Sequence, residues 1–131
     1  MSGKIYAIGG LNVKIGDSEG KVLSSTEVYD PSTNTWTTLA SMSTIRRTFQ
    51  TEVIDNKIYA IGGLSTYKID LDNELPTEVY DPATDKWRTL ESMSTKRCFI
   101  QTEAVDKVIY AIGGTNSTSM ESYAVPANET K

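Results

Sequence analysis

Six residues, Ile5-Tyr6-Ala7-Ile8-Gly9-Gly10, return unchanged at Ile58 to Gly63 and again at Ile109 to Gly114, 53 and then 51 residues further on. Thr26-Glu27-Val28-Tyr29-Asp30-Pro31 returns at Thr77 to Pro82, Trp36 at Trp87, and Ser41-Met42-Ser43-Thr44 at Ser92 to Thr95, each 51 residues later. A period of this length is the signature of stacked units, none of which can bury its apolar face alone. Everything else the chain can fold into is bounded by that repeat.

Each unit reads as four short strands. Thr51 to Ile54 and Thr102 to Val105 form strand a, and a turn at Asp55-Asn56 or Asp106-Lys107 leads into the Ile-Tyr-Ala-Ile run of strand b. Strand c is Thr-Glu-Val-Tyr, closed by Asp30-Pro31-Ser32-Thr33-Asn34, and strand d begins at the tryptophan. Proline there fixes φ and offers no N–H, while Asp and Asn tolerate a tight corner. Short β-rich runs between turn signals, with no helical period, predict an all-β fold.

The double glycine that ends strand b, the tyrosine of strand c and the tryptophan seven positions later together resemble the kelch repeat. Arg46 and Arg97, each twelve residues before the Ile of the next strand b, fit the same pattern. The resemblance, to the kelch domain of BTB-kelch and kelch-like proteins, covers nearly the whole chain. It implies a β-propeller of four-stranded antiparallel blades around a channel. Elementary packing agrees, because a blade apolar on both faces is stable only against neighbouring blades. Tyr29, Tyr80, Trp36 and Trp87 supply large apolar surfaces with polar tips, suited to joining one blade to the next.

The strand order along the chain is b-c-d, then a-b-c-d, then a-b-c. We therefore expect one partial kelch-repeat domain over 1–131, an incomplete arc divided into 1–44, a complete unit at 45–95, and 96–131. Closed propellers use roughly four to eight blades. The expectation is a piece of a longer product or a truncated paralogue, or a chain that self-associates through its open blade edges. An uncovered arc exposes apolar faces and unpaired edges. The third unit also departs from the pattern: Glu121-Ser122-Tyr123-Ala124-Val125-Pro126 replaces Glu-Val-Tyr-Asp-Pro, and no tryptophan follows. The b–c loops differ, with Leu11 to Ser25 and Leu64 to Pro76 long and polar and the third short. Loops that differ on a repeating scaffold are where specificity resides.

Composition narrows the function. The chain has no histidine, which removes Ser/His/Asp and Cys/His nucleophile systems and most zinc and copper sites. A net charge of −4 speaks against nucleic acid, and no apolar run approaches the length of a membrane span. The N-terminus runs straight into a strand-like segment without a signal-peptide pattern, and the single cysteine, Cys98, has no internal disulfide partner. These point to a reducing, cytoplasmic setting. The sequons at Asn116-Ser117-Thr118 and Asn128-Glu129-Thr130 are then chance matches.

Arg46, Arg47 and Arg97 lie where strand d hands over to strand a, in loops that the resemblance places on one binding face. They either grip a partner's carboxylate in bidentate fashion or pair locally to fix the loop. Asp70, Asp72 and Glu74 alternate like a calcium loop, but the turn glycine, closing glutamate and flanking helices of an EF-hand are missing. They read as a solvated acidic loop. Cys98 follows Lys96 and Arg97, which favours a thiolate, yet an inert thiol is the plainer reading. Gly9-Gly10 ends a strand with no helix or Lys-Ser/Thr behind it, so it is no phosphate loop. No catalytic residue, metal site or cofactor is expected. The leading expectation is a non-enzymatic protein–protein interaction module, which the resemblance extends to substrate recognition for a cullin-type ubiquitin ligase or to actin binding. A partnerless, truncated or engineered repeat fragment and a kelch-like enzyme are the alternatives.

Overall fold

The structure, a computed structural model, describes residues 3–70, 72, 74–115 and 117–129. Asn116 and Thr130, which complete the two sequons, lie outside the described residues. Among the described residues, ten strands form three antiparallel sheets. The first contains β1 (Ile5–Asn12), β2 (Lys21–Asp30) and β3 (Thr35–Leu39) in that order. The second contains β4 (Gln50–Ile54), β5 (Lys57–Ile61), β6 (Pro76–Asp81) and β7 (Lys86–Ser92). The third runs β8 (Gln101–Val105), β9 (Val108–Ile112) and β10 (Met120–Ala124), followed by one 3-10 turn at Ala127–Glu129.

Local chemistry sets these strands. Asp55-Asn56 and Asp106-Lys107 join strands a and b as two-residue hairpin turns with φ of 48° and 61°, and of 47° and 64°. Positive φ at both central residues is the type I′ geometry that matches strand twist. At the c–d corners the Asp30 and Asp81 side chains each accept the N–H two residues on, at 2.9 Å. Tyr29 and Tyr80 close those corners from inside, donating to Asn34 Oδ1 at 2.8 Å and to Asp85 Oδ1 at 2.9 Å. Register places each tyrosine opposite its tryptophan, Tyr29 with Trp36 and Tyr80 with Trp87, and both ring pairs sit 5.2 Å apart at 39°. Two copies of one sequence pattern thus reach one geometry.

The core lies between sheets. Ile58 is 3% exposed and faces the first sheet with Ala60 and Tyr80, whereas Tyr59 and Ile61 meet Ile109 and Ala111 of the third sheet. The first and third sheets have one covered side each. Ile5, which occupies the place of Ile58, is 57% exposed, and Ile112, in the place of Ile61, is 47% exposed. Identical residues are core or surface according to whether a blade leans on them.

One loop departs from expectation. Leu11 to Ser25, read as a long polar loop, is in part a continuation of the β1–β2 hairpin, with Leu11 opposite Val22 and Asn12 opposite Lys21. A bulge between Ile8 and Gly10 absorbs the irregularity at the glycine pair, and the connection shrinks to residues 13–20. Gly9 takes φ +57° there, and a Cβ on it would stand 2.7 Å from the Arg46 carbonyl, so only glycine fits.

Candidate functional site

The connections from strand d to strand a carry the polar chemistry of the molecule. Residues 40–49 leave the first sheet and cross onto the second; residues 93–100 do the same from the second to the third. In the first crossing the Ser43 N–H and hydroxyl donate to Glu78 Oε1 at 2.7 and 2.6 Å, and Arg46 donates to Glu78 Oε2 at 2.7 Å. Arg46 also donates to the carbonyls of Gly62 and Pro76, and its own carbonyl accepts from the Gly10 N–H of the first sheet. Both side chains of this ion pair are fully buried. Burial pulls the Arg46 pKa down, and the Glu78 carboxylate works against that pull. Deleting one member of such a pair costs about 3–5 kcal/mol, because the other charge is stranded without water.

The second crossing repeats the device. The Ser94 N–H and hydroxyl and the Arg97 guanidinium all donate to Glu121, and Arg97 also reaches the Gly113 and Ser119 carbonyls. Burial opposes the Glu121 charge, but hydrogen bonds from Ser94 and Arg97, then the Ser94 and Thr95 N–H groups, outweigh it and hold its pKa down to about 2. One fifth of the Glu121 side chain remains exposed.

Of the three arginines singled out in the sequence, Arg46 and Arg97 therefore spend their guanidinium groups inside the protein, in the local pairing that was the second of their two readings. Arg47 is different. Half-buried, it exchanges backbone hydrogen bonds with Leu64 and donates from its side chain to the Thr66 and Tyr67 carbonyls, fastening the b–c loop of the second unit to the crossing.

That loop opens onto a cleft of about 240 Å³ lined by Leu64, Asp70, Asp72, Lys96, Arg97 and Cys98. Asp70 Oδ1 accepts the Asp72 N–H at 3.0 Å, and the acidic residues of the loop are exposed. Among the described residues no three His, Cys, Asp or Glu side chains gather in a way that could hold a metal ion. Cys98 is buried and donates weakly to the Thr115 hydroxyl, the geometry of a packed thiol. Among the described residues no helix is long and apolar enough to cross a membrane.

Residues 1–43 match the family model of the Kelch motif. Kelch-like protein 7 of Rattus norvegicus is 39% identical over 95 residues, a stretch covering 72% of this chain and 16% of that protein. Alpha-scruin of Limulus polyphemus is 32% identical over 121 residues, covering 88% of this chain and 12% of that protein. This is a kelch-repeat chain. It spans only a small part of the length of the kelch relatives it matches. Two solved structures share the fold: one titled "Structure of YjhT", with a TM-score of 0.74, 15% identity and coverage of 97% of this chain and 50% of that one, and a fungal alcohol oxidase in complex with copper, with a TM-score of 0.72, 20% identity and coverage of 88% and 26%. Identities this low carry the architecture alone. The fold is thus an arc of kelch-type propeller blades, all-β as expected.

Sequence reasoning found the kelch arginines but not their partners. Glu78, Glu121, Ser43 and Ser94 all lie within the repeated Thr-Glu-Val-Tyr and Ser-Met-Ser-Thr runs or their third-unit counterpart, so their recurrence was visible. What was not visible is that the serine and arginine of one blade's exit meet the glutamate of the next blade.

Proposed function

We infer that this kelch arc is a protein-binding module whose contacts come from the loops at one end of its blades. The observation that carries this reading is the cleft beside Leu64, where a loop that differs from unit to unit meets a crossing that repeats. Asp70, Asp72 and Lys96 all line it, so a segment bearing both signs of charge finds complementary groups. Arg47, partly exposed and held by its bonds to the Thr66 and Tyr67 carbonyls, offers its remaining donors to a partner carboxylate in this reading; Arg46 and Arg97 act as positioning residues for the loops. The kelch resemblance supports two finer readings, recruitment of substrates to a cullin-type ubiquitin ligase and actin binding. An enzyme of the copper type lacks its usual imidazole ligands here, since the chain contains no histidine.

The test is affinity capture with cross-linking, run beside cosedimentation with filamentous actin. The chain is compared with a charge-reversed variant, Asp70→Lys with Asp72→Lys and Lys96→Glu. The reading expects one cross-linked partner whose recovery falls at least about tenfold in the variant. Recovery of chaperones alone, or of a partner indifferent to the variant, overturns it.

A further inference from the structure

The first two b–c connections touch each other between neighbouring blades. Gly20, at the end of the first, is packed so closely that a Cβ on it would stand 2.5 Å from the Val13 side chain, 2.8 Å from Leu11 and 3.1 Å from the ring of Tyr67, which belongs to the second. Leu11 and Val13 of one unit and Tyr67 of the next thus gather around one glycine. Packing does not hide them, for all three are between 38% and 46% exposed. Ile15, two residues beyond Val13, is fully exposed, and Ile69, two beyond Tyr67, is 61% exposed. Single apolar side chains on a surface need no explanation. Five on two touching loops make the kind of patch that marks an interaction site.

The charges on the same loops select the occupant. Residues 13–20 and 62–75 contain two lysines against five acidic residues, Asp17, Glu19, Asp70, Asp72 and Glu74, which accounts for three of the chain's four net negative charges. All five acidic residues are exposed. The third b–c connection, 113–119, has no charged residue. On the adjoining crossings Arg46 and Arg97 are already paired with Glu78 and Glu121, and Arg47 is tied to the Thr66 and Tyr67 carbonyls, which leaves exposed Lys96 as a lesser counterweight. An apolar patch on acidic loops repels nucleic acid, anionic lipid and a second copy of itself. It attracts a basic segment that has an apolar side chain to bury.

We propose that the paired b–c loops of the first and second units bind a Lys- or Arg-rich segment of a partner protein, which lays a large apolar side chain on Leu11, Val13 and Tyr67. Resting on the loop-face reading above, this site adds the chemistry of the occupant. Cationic groups of the segment meet Asp17 and Glu19 of one loop and Asp70 and Asp72 of the other, while the apolar side chain supplies the burial that charge on an exposed surface does not.

The probe is a displayed library of random peptides selected against the full chain, with the selected peptides then synthesised and titrated by fluorescence anisotropy. The expected peptides have a net positive charge and at least one large apolar residue. Ile15→Ser and Tyr67→Ser should each weaken their binding at least about fivefold, and Asp70→Lys with Asp72→Lys at least about tenfold. Ile15 is fully exposed, so its variant keeps the test valid if Tyr67→Ser fails to fold. Acidic or uncharged peptides whose binding falls on Lys96→Glu overturn the basic partner and leave the loop face as the binding surface. Basic peptides indifferent to both serine variants also overturn it, since charge attraction alone would then explain them. Peptides unaffected by every one of these substitutions, or no selection at all, overturn this site and the loop-face reading together.

Discussion

The two blade junctions are built from the same parts and closed to different degrees. Between the first and second sheets, Trp87 fills the gap, Met42 is buried, and the Arg46–Glu78 pair is out of water altogether. Between the second and third, no tryptophan fills the gap among the described residues, Met93 is only partly buried, a cavity remains, and the Glu121 side chain keeps some exposure. The serine and arginine donors to a glutamate of the next blade recur in both. The comparison shows that the crossing segment positions one blade on the next, whereas strand d and its tryptophan seal the junction against solvent.

The largest expected effect follows from the sealed pair. Glu78→Ala strands a buried arginine and should cost about 3–5 kcal/mol in urea-induced unfolding. Glu121→Ala, at the open junction, should cost about 2 kcal/mol, because water reaches part of that site. Equal losses would mean that solvent entry does not distinguish the junctions.

The next effect separates two copies of one residue. Trp87→Ala removes a ring seated between blades and should cost about 2–3 kcal/mol. Trp36 makes the same contact with its own tyrosine but is 54% exposed, so Trp36→Ala should cost under about 1 kcal/mol. Similar values for the two would place the stabilisation inside each blade and not between blades.

Acid sharpens the contrast further. Glu121 has a lowered folded pKa, so its contribution is fully present above its ordinary value of 4.5 and is lost as pH falls toward about 2. Stability should decline across that window from this group, and Glu121→Gln should flatten that part of the profile. An unchanged slope in the variant would assign the acid sensitivity to other carboxylates.

Much of this was legible in the chain. Ile-Tyr-Ala-Ile-Gly-Gly and its companions disclosed the strands, their order and the kelch likeness, because each strand is specified locally by alternation and by Asp, Asn and Pro at its turns. The serine–arginine–glutamate network was half legible: its members recur, but their meeting depends on one blade's exit lying over the next blade's strand c, which no single unit encodes. The long first b–c loop was misread because the bulge at Gly9 carries the hairpin past the glycine pair, and a bulge breaks the alternation that sequence reading relies on.

The central claim is that identical strands become core only where another blade covers them. Strands β5 and β9 share the run Ile-Tyr-Ala-Ile and each lies inside its sheet, yet β5 is covered on both faces and β9 on one. Native-state amide exchange compares them directly. Slower exchange at Tyr59 and Ala60 than at Tyr110 and Ala111 is the predicted result, and equal or reversed protection would contradict the account.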